Sequence, residues 1–347
     1  MGRLLKAFEN DPCAVLSGSH SCLLSVPGVG EKIVKIISAW PDYFDLEREK
    51  ERIIQAGVYF YTAETPNYPP LLKEIYDPPI GLYWRGAYSI DRPCIAIVGT
   101  RQPSLYGLKV AREFAARLTR LGFCIVSGMA RGIDSAAHEG ALSVGGPTVA
   151  VLGSGLDIIY PPENKGLYDK IVNKGAVISE FPFGRRADRQ SFPMRNRVVS
   201  GICKAVIVVE TGMQGGSMIT ARFSGEQGRD LMAVPGRIDQ APALGCLNLI
   251  RDGAILVRTV NDVLEELGYQ NETSKCPSVE RDEQGISASL GPEELAILNL
   301  LKGGALETID TIAITLGYSV PEVSAQLTSL EMKQLLRKRA DGFFESF

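Results

Sequence analysis

Six short runs of β-branched and aliphatic residues recur along the middle of the chain, most of them breaking on glycine: "CIAIVGT", "FCIVSG", "TVAVLGSG", "AVISE", "AVIVVE" and "LMAVPG". A strand with one solvated face alternates apolar and polar residues. These runs are nearly continuously apolar, as strands buried on both faces must be. Between them lie stretches of helical character, such as Gly107 to Leu121 and Ser135 to Val144. Strand and helix in alternation predict a doubly wound, mostly parallel sheet with helices on both faces, an extended Rossmann-like α/β fold. In such a sheet ligands sit in the crevice beyond the carboxyl ends of the strands.

The flanks have a different texture. Residues 1–41 read as a small helical unit, in which "LLSVPGVGEKIVKIISAW" puts a Pro-Gly-x-Gly turn between two helices. That pattern resembles a helix-hairpin-helix (SAM-like) element, and it equally suits a tight structural turn. The sheet domain is expected over 42–268. A polar, aperiodic stretch over 269–288 reads as a linker. Residues 289–347 hold three helical patterns followed by "RKRADGFFES", which together suggest a winged helix. A winged helix alone does not choose between DNA and a protein partner.

Composition narrows the function. Seven cysteines, an odd number with no C-x-x-C pair, argue against a disulfide framework and for reduced thiols. Two histidines and no spaced Cys/His cluster leave no expected metal site. No apolar stretch is long enough to span a bilayer, and no secretory signal is evident, so a cytoplasmic protein without membrane contact is expected. The net charge of −3 means that any polyanion must be met by local positive charge. "GRRADRQSFPMRNR", with five arginines and one aspartate, supplies such a concentration.

The strand-end segments carry the candidate chemistry. Gly99, Thr100 and Arg101 follow the first run; Gly128, Ala130, Arg131 and Gly132 follow the second. "GSGLDIIYPPEN" leads to Lys165, "FPMRNRVVSG" holds Arg195, Asn196 and Arg197, and "GMQGGSMITAR" holds Gly216 and Ser217. Glycine lets the backbone approach an anion, a helix N-terminus adds a favourable field, and arginine offers a planar fork to phosphate. The repetition points to an anion-binding rim. It is neither a complete G-x-G-x-x-G nor a G-x-x-x-x-G-K-[ST] loop: Ile158 stands where the third glycine of the first would be. Asp134 reads as a helix N-cap and His138 as structural, and no base adjoins a nucleophile. Tyr106, Tyr160, Phe181, Phe183 and Phe192 lie near the loops as candidate base-stacking or packing groups.

"VGTR", "SGMARGIDSAAHEGAL", "VAVLGSGLDIIYPPEN", "FPMRNRVVSG", "GGSMITARFSGEQGR" and "AVPG" resemble, in order, the motifs of the DprA (Smf) DNA-processing family, and they cover most of the central segment. The resemblance implies a protein without catalytic residues or cofactors. It would bind single-stranded DNA, protect it, and load the RecA recombinase onto it during natural transformation. By position it implies that Arg101 is the main phosphate contact, that Gly128 to Gly132 form a second contact loop, that Arg195 to Arg197 form a further basic loop, and that Lys165 is an additional contact. It also implies a homodimer. In "GCLNLIRDGA" Leu247 stands where the family commonly carries a polar residue, with Asn248 after it. An alternative comes from the similar sheet of the LOG-like nucleotide phosphoribohydrolases. Their Pro-Gly-Gly-x-Gly-Thr signature and following glutamate are incomplete in "GMQGGSMITAR".

Overall fold

The computed structural model describes residues 2–9, 11–269, 290–301, 305–333, 335–339 and 342–346. All of the expected linker except Tyr269 lies outside these residues. The chain opens with α1 (Gly2–Ala7), α2 (Pro12–Leu16), α3 (His20–Leu24), α4 (Glu31–Ser38), α5 (Trp40–Tyr43) and α6 (Leu46–Gln55). The first four close a small core around Leu23 and Val34. The Pro-Gly-x-Gly turn joins α3 to α4, and the guanidinium of Arg3 reaches the carbonyl of Pro27 within it.

The sheet comes next, with β1 (Tyr59–Thr62), α7 (Pro70–Lys73), β2 (Gly81–Arg85), β3 (Cys94–Val98), α8 (Leu105–Arg120), β4 (Cys124–Ser127), α9 (Ile133–Ser143) and β5 (Thr148–Val151). It continues through α10 (Lys165–Lys174), β6 (Ala176–Ser179), α11 (Ser191–Ile202), β7 (Ala205–Val208), α12 (Gly216–Glu226), β8 (Asp230–Ala233), α13 (Leu244–Arg251), β9 (Ile255–Leu256) and α14 (Val260–Glu266). The nine strands lie in the order β1-β2-β6-β5-β4-β3-β7-β8-β9. Strands β6 to β9 along this order pair in parallel, while β1 and β2 are antiparallel additions at one edge. The six apolar runs are six of the seven parallel strands. The edge pair was not separately legible, because its aromatic residues carry a mixed pattern.

The burial of both faces has the period of two that a pleated strand imposes. On β3, Cys94, Ala96 and Val98 enter one core while Ile95 and Ile97 enter the other. Helix α8 begins earlier than the apolar pattern suggests, because the hydroxyl of Ser104 caps it by accepting the N–H of Gly107 at 3.0 Å. From β3 the chain winds through β4, β5 and β6 to one side, and from β7 through β8 and β9 to the other. The order reverses between β3 and β7, the place where the loops of such a sheet usually diverge; here the loops after these two strands are tied together through Glu210.

The last unit is α15 (Pro292–Leu300), α16 (Ile309–Leu316) and α17 (Val320–Met332), then an antiparallel wing of β10 (Leu336–Lys338) and β11 (Phe344–Ser346). It is a winged helix with its own core, around Ile297, Ile312, Val323 and Leu330. No described helix is long and apolar enough to cross a membrane. The described cysteines are free thiols, and no metal-holding cluster of His, Cys, Asp or Glu exists among the described residues.

Candidate nucleic-acid interface

Beyond the carboxyl ends of β3 to β6 lies a pocket lined by Arg101, Gly128, Ala130, Arg131, Gly153 and Ser154, with Tyr160, Phe192 and Arg195 closing it. The loop after β3 enters from one side. Glu210, just past β7, fixes that loop by accepting the N–H and the hydroxyl of Ser104 at 2.9 and 2.6 Å. Burial pushes the Glu210 carboxyl up, and the Ser104 bonds hold it down. Thr100 donates its N–H to the carbonyl of Glu210 and accepts the N–H of Gln102 on its hydroxyl. With both neighbours anchored, Arg101 projects, exposed, and its guanidinium lies over the Phe192 ring at 5.2 Å. Tyr160 lies 5.9 Å from the same ring, centroid to centroid, tilted by 52°.

The loop after β4 is built differently. Asp134 is not the N-cap expected of it; Gly132 holds that place, at φ 79°, where a side chain would overlap the carbonyl of Thr100. Two residues on, within the first turn, the Asp134 carboxylate accepts the N–H groups of Gly128 and Ala130 at 3.1 and 3.4 Å. Those amides therefore face the protein rather than a ligand. Met129 between them adopts φ 55°, a left-handed conformation costing about 1–2 kcal/mol for a residue with a side chain. Asn164 helps to hold it there by donating to the Met129 carbonyl at 2.9 Å.

Arg195 and Arg197 correct a second expectation. "FPMRNRVVSG" is not a basic loop but most of helix α11, whose Val198, Val199 and Ile202 enter the core beneath the sheet. Arg195 is buried behind the pocket, where its guanidinium donates to the carbonyls of Gly128 and Val151. Its planar group lies against Gly128, which is why no side chain fits at that position. Burial pulls the Arg195 guanidinium down while Asp134 holds it up; burial pushes Asp134 up, and Arg195 and the loop amides oppose that. Arg197 is buried too, paired with Glu180 and close to Asp77. Asn196 accepts from Arg195 at 3.0 Å and donates to the Gly216 carbonyl at 3.3 Å, tying α11 to α12. Ser217 is buried, and its hydroxyl donates to that of Thr211 at 2.7 Å. Gly216 remains exposed at the start of α12. Gly99 is closely packed against Ile133.

The exposed cations of this rim include Arg101, Arg131, Lys165, Arg186 and Arg189, with Arg185 paired to Asp188. Arg131 is engaged by the exposed carboxylate of Glu163. Lys165 stands at the start of α10. Arg186 and Arg189 belong to the arginine-rich stretch but were not separated from Arg195 and Arg197 by the sequence. Their loop is held by Glu49, which accepts the N–H of Phe183 at 2.9 Å, and by Asp157, which accepts that of Gly184. His138 is buried, and its Nδ1 is 2.7 Å from the Thr148 hydroxyl. That hydroxyl already donates to the Ile125 carbonyl, so the imidazole N–H must be on Nδ1. Burial pushes the ring's pKa down to about 3, so it is neutral near pH 7.

The family model for DNA recombination-mediator protein A matches residues 59–268, and that for the DprA winged helix domain matches residues 281–342. Protein Smf of Synechocystis is 40% identical over 70% of this chain, and the match spans 62% of that relative's length. DNA processing protein DprA of Streptococcus pneumoniae is 44% identical over 58% of this chain and 72% of its own. Its crystal structure superposes with a TM-score of 0.66 at 35% identity, covering 76% of this chain and 91% of that one. A structure of DNA processing protein A from Helicobacter pylori, concerned with its single-stranded DNA binding mode, has a TM-score of 0.55 at 30% identity. It covers 61% of this chain and 97% of that one. The chain belongs to the DprA/Smf family of DNA-processing proteins.

Proposed function

We propose that the rim and its pocket bind single-stranded DNA, and that the protein, as a homodimer, protects the strand and loads the RecA recombinase onto it during natural transformation. The observation that carries the DNA reading is the stack of Arg101 over Phe192, beside Tyr160, at the mouth of a pocket beyond the strand ends. A single strand presents exactly two things to such a surface, phosphates and unstacked bases. Arg101, Arg131 and Lys165 offer cations to the phosphates, and the two rings offer faces to a base. This combination tolerates any sequence, since every base has a π-face. The relative whose structure concerns single-stranded DNA binding aligns over 61% of this chain.

The phosphoribohydrolase alternative gains no support from the pocket. None of the residues lining it carries a carboxylate. Asp134 lies buried behind it, bonded to loop amides.

The test is a titration of labelled single- and double-stranded oligonucleotides across salt concentration. Single strands should bind preferentially, with a log–log salt slope of about −0.7 for each phosphate neutralised. Arg101→Glu should weaken binding by roughly 30-fold at low salt and flatten the slope by about that one-phosphate step. Its unfolding temperature should stay that of the parent, because Arg101 is exposed. A folded Arg101→Glu protein with undiminished affinity would remove the site. Release of free base from nucleoside monophosphates would instead favour the enzyme reading.

A further inference from the structure

A second depression lies beside the first pocket and shares Arg101 and Arg131 with it. It runs between α8 and α9, with Leu108 in its floor, and the winged helix reaches it through Arg337 on β10. The wing lies near this side of the sheet domain: Arg337 lines the depression, and the charges of Glu345 and Arg339 both act on Glu210. We propose that a single strand leaving the pocket at Arg101 continues through this groove, where Arg337 of the wing takes a further backbone phosphate. The proposal rests on the single-stranded DNA reading of the rim and extends it across two domains.

Charge and continuity select the occupant. Of the four arginines lining the groove, Arg112 is paired with Glu139 at 2.9 Å and Arg131 with Glu163. Arg101 and Arg337 have no ion-pair partner among the described residues, so unneutralised cations stand on both sides of the groove. A polyanion held at Arg101 therefore has a cationic exit that a neutral or acidic protein segment would not require.

Strand geometry supplies a matched control. Successive side chains on a strand point to opposite faces. Arg337 lines the groove, whereas the ammonium of its neighbour Lys338 sits 5.8 Å from the Phe344 ring. Arg337→Glu and Lys338→Glu make the same change in net charge on opposite sides of the wing. In the full chain, Arg337→Glu should weaken binding of a 25-mer oligothymidylate about 5- to 10-fold and flatten its salt slope by about 0.7. Binding of a hexamer, short enough to fill the pocket alone, should change by less than about twofold, as should 25-mer binding by Lys338→Glu. Arg101→Glu should weaken both oligomers.

Equal effects of the two wing variants on the 25-mer would overturn the proposal, leaving only a diffuse field. Tighter binding by Arg337→Glu would also overturn it, since the wing would then obstruct the strand. Arg101→Glu discriminates the level of failure. If it weakens binding while Arg337→Glu does not, the rim reading stands and the groove falls. If neither variant weakens binding, the rim reading falls as well.

Discussion

The inner wall of the pocket and its outer rim are both rich in arginine, yet they are opposite kinds of surface. On the wall, Arg195, Asp134 and the Gly128 and Ala130 amides are committed to one another. On the rim, Arg101 meets no carboxylate among the described residues and lies over an aromatic face. A buried cation bonded to backbone carbonyls gives shape. An exposed cation on an anchored loop gives affinity, since little reorganisation precedes contact with phosphate. The wall's bonds fix the loop that carries Arg131, while Glu210 fixes the loop that carries Arg101.

The harshest way to break this contrast is to remove the wall's cation. Arg195→Met should cost about 3–5 kcal/mol, the usual consequence of leaving a buried partner charge uncompensated. Asp134 is that partner, and the carbonyls of Gly128 and Val151 lose their donor as well. In a domain of this size the loss would lower the unfolding temperature by roughly 10 °C in a thermal melt. The double variant Arg195→Met/Asp134→Asn should recover part of it, since no charge is then left alone. Arg101→Glu should do the reverse, removing affinity with the melt unmoved. If Arg195→Met melted normally and lost only DNA, the wall would be a binding surface after all.

His138 permits a gentler probe of the same wall. In the unfolded chain its ring takes up a proton near pH 6.5, while in the fold burial delays that to about 3. Below 6.5 the unfolded state therefore binds the extra proton, and acid favours unfolding. The contribution is intact above that pH and is lost as pH falls toward 3, by up to about 1.4 kcal/mol per pH unit. The raised carboxyls of Asp134, Glu180 and Glu210 act with opposite sign, so the comparison must be differential. His138→Gln keeps a neutral donor for Thr148 and should lose stability less steeply than the parent between pH 6.5 and 4. Parallel curves for the two proteins would show that the ring is not held neutral by the fold.

The contrast between wall and rim was only half legible in the sequence. The parallel strands were visible because burial on two faces leaves runs such as "CIAIV" with nowhere else to go. The winged helix was visible because its three helices carry their own apolar period. Arginine carries no such signature. Arg101, Arg195 and Arg197 are chemically alike on the page, and only tertiary packing decides which guanidinium finds carbonyls and carboxylates. One clue existed: Val198, Val199 and Ile202 follow "RNR" at helical spacing, which points to a packed helix rather than a loop. Asp134 resembles a cap in the sequence for a related reason. A carboxylate near a helix start serves whichever N–H groups are closest, and here those belong to the preceding loop.

The mildest perturbation sharpens the rim itself. Arg131 is exposed, and Glu163 across from it is exposed as well; the bond between them pulls the Glu163 carboxyl down and raises the guanidinium. An exposed pair of this kind adds little to stability. It does matter to a phosphate, which must compete with Glu163 for Arg131 and is repelled by the carboxylate it displaces. Glu163→Gln should therefore tighten single-stranded DNA binding by about threefold at low salt, with the gain fading near 0.5 M as charges are screened, roughly within a Debye length. The melt should be unchanged. Arg131→Gln should erase the gain when combined with Glu163→Gln, because the benefit passes through that guanidinium. A threefold gain that survived the double substitution would mean the carboxylate repels DNA directly, and Arg131 would leave the rim's set of contacts.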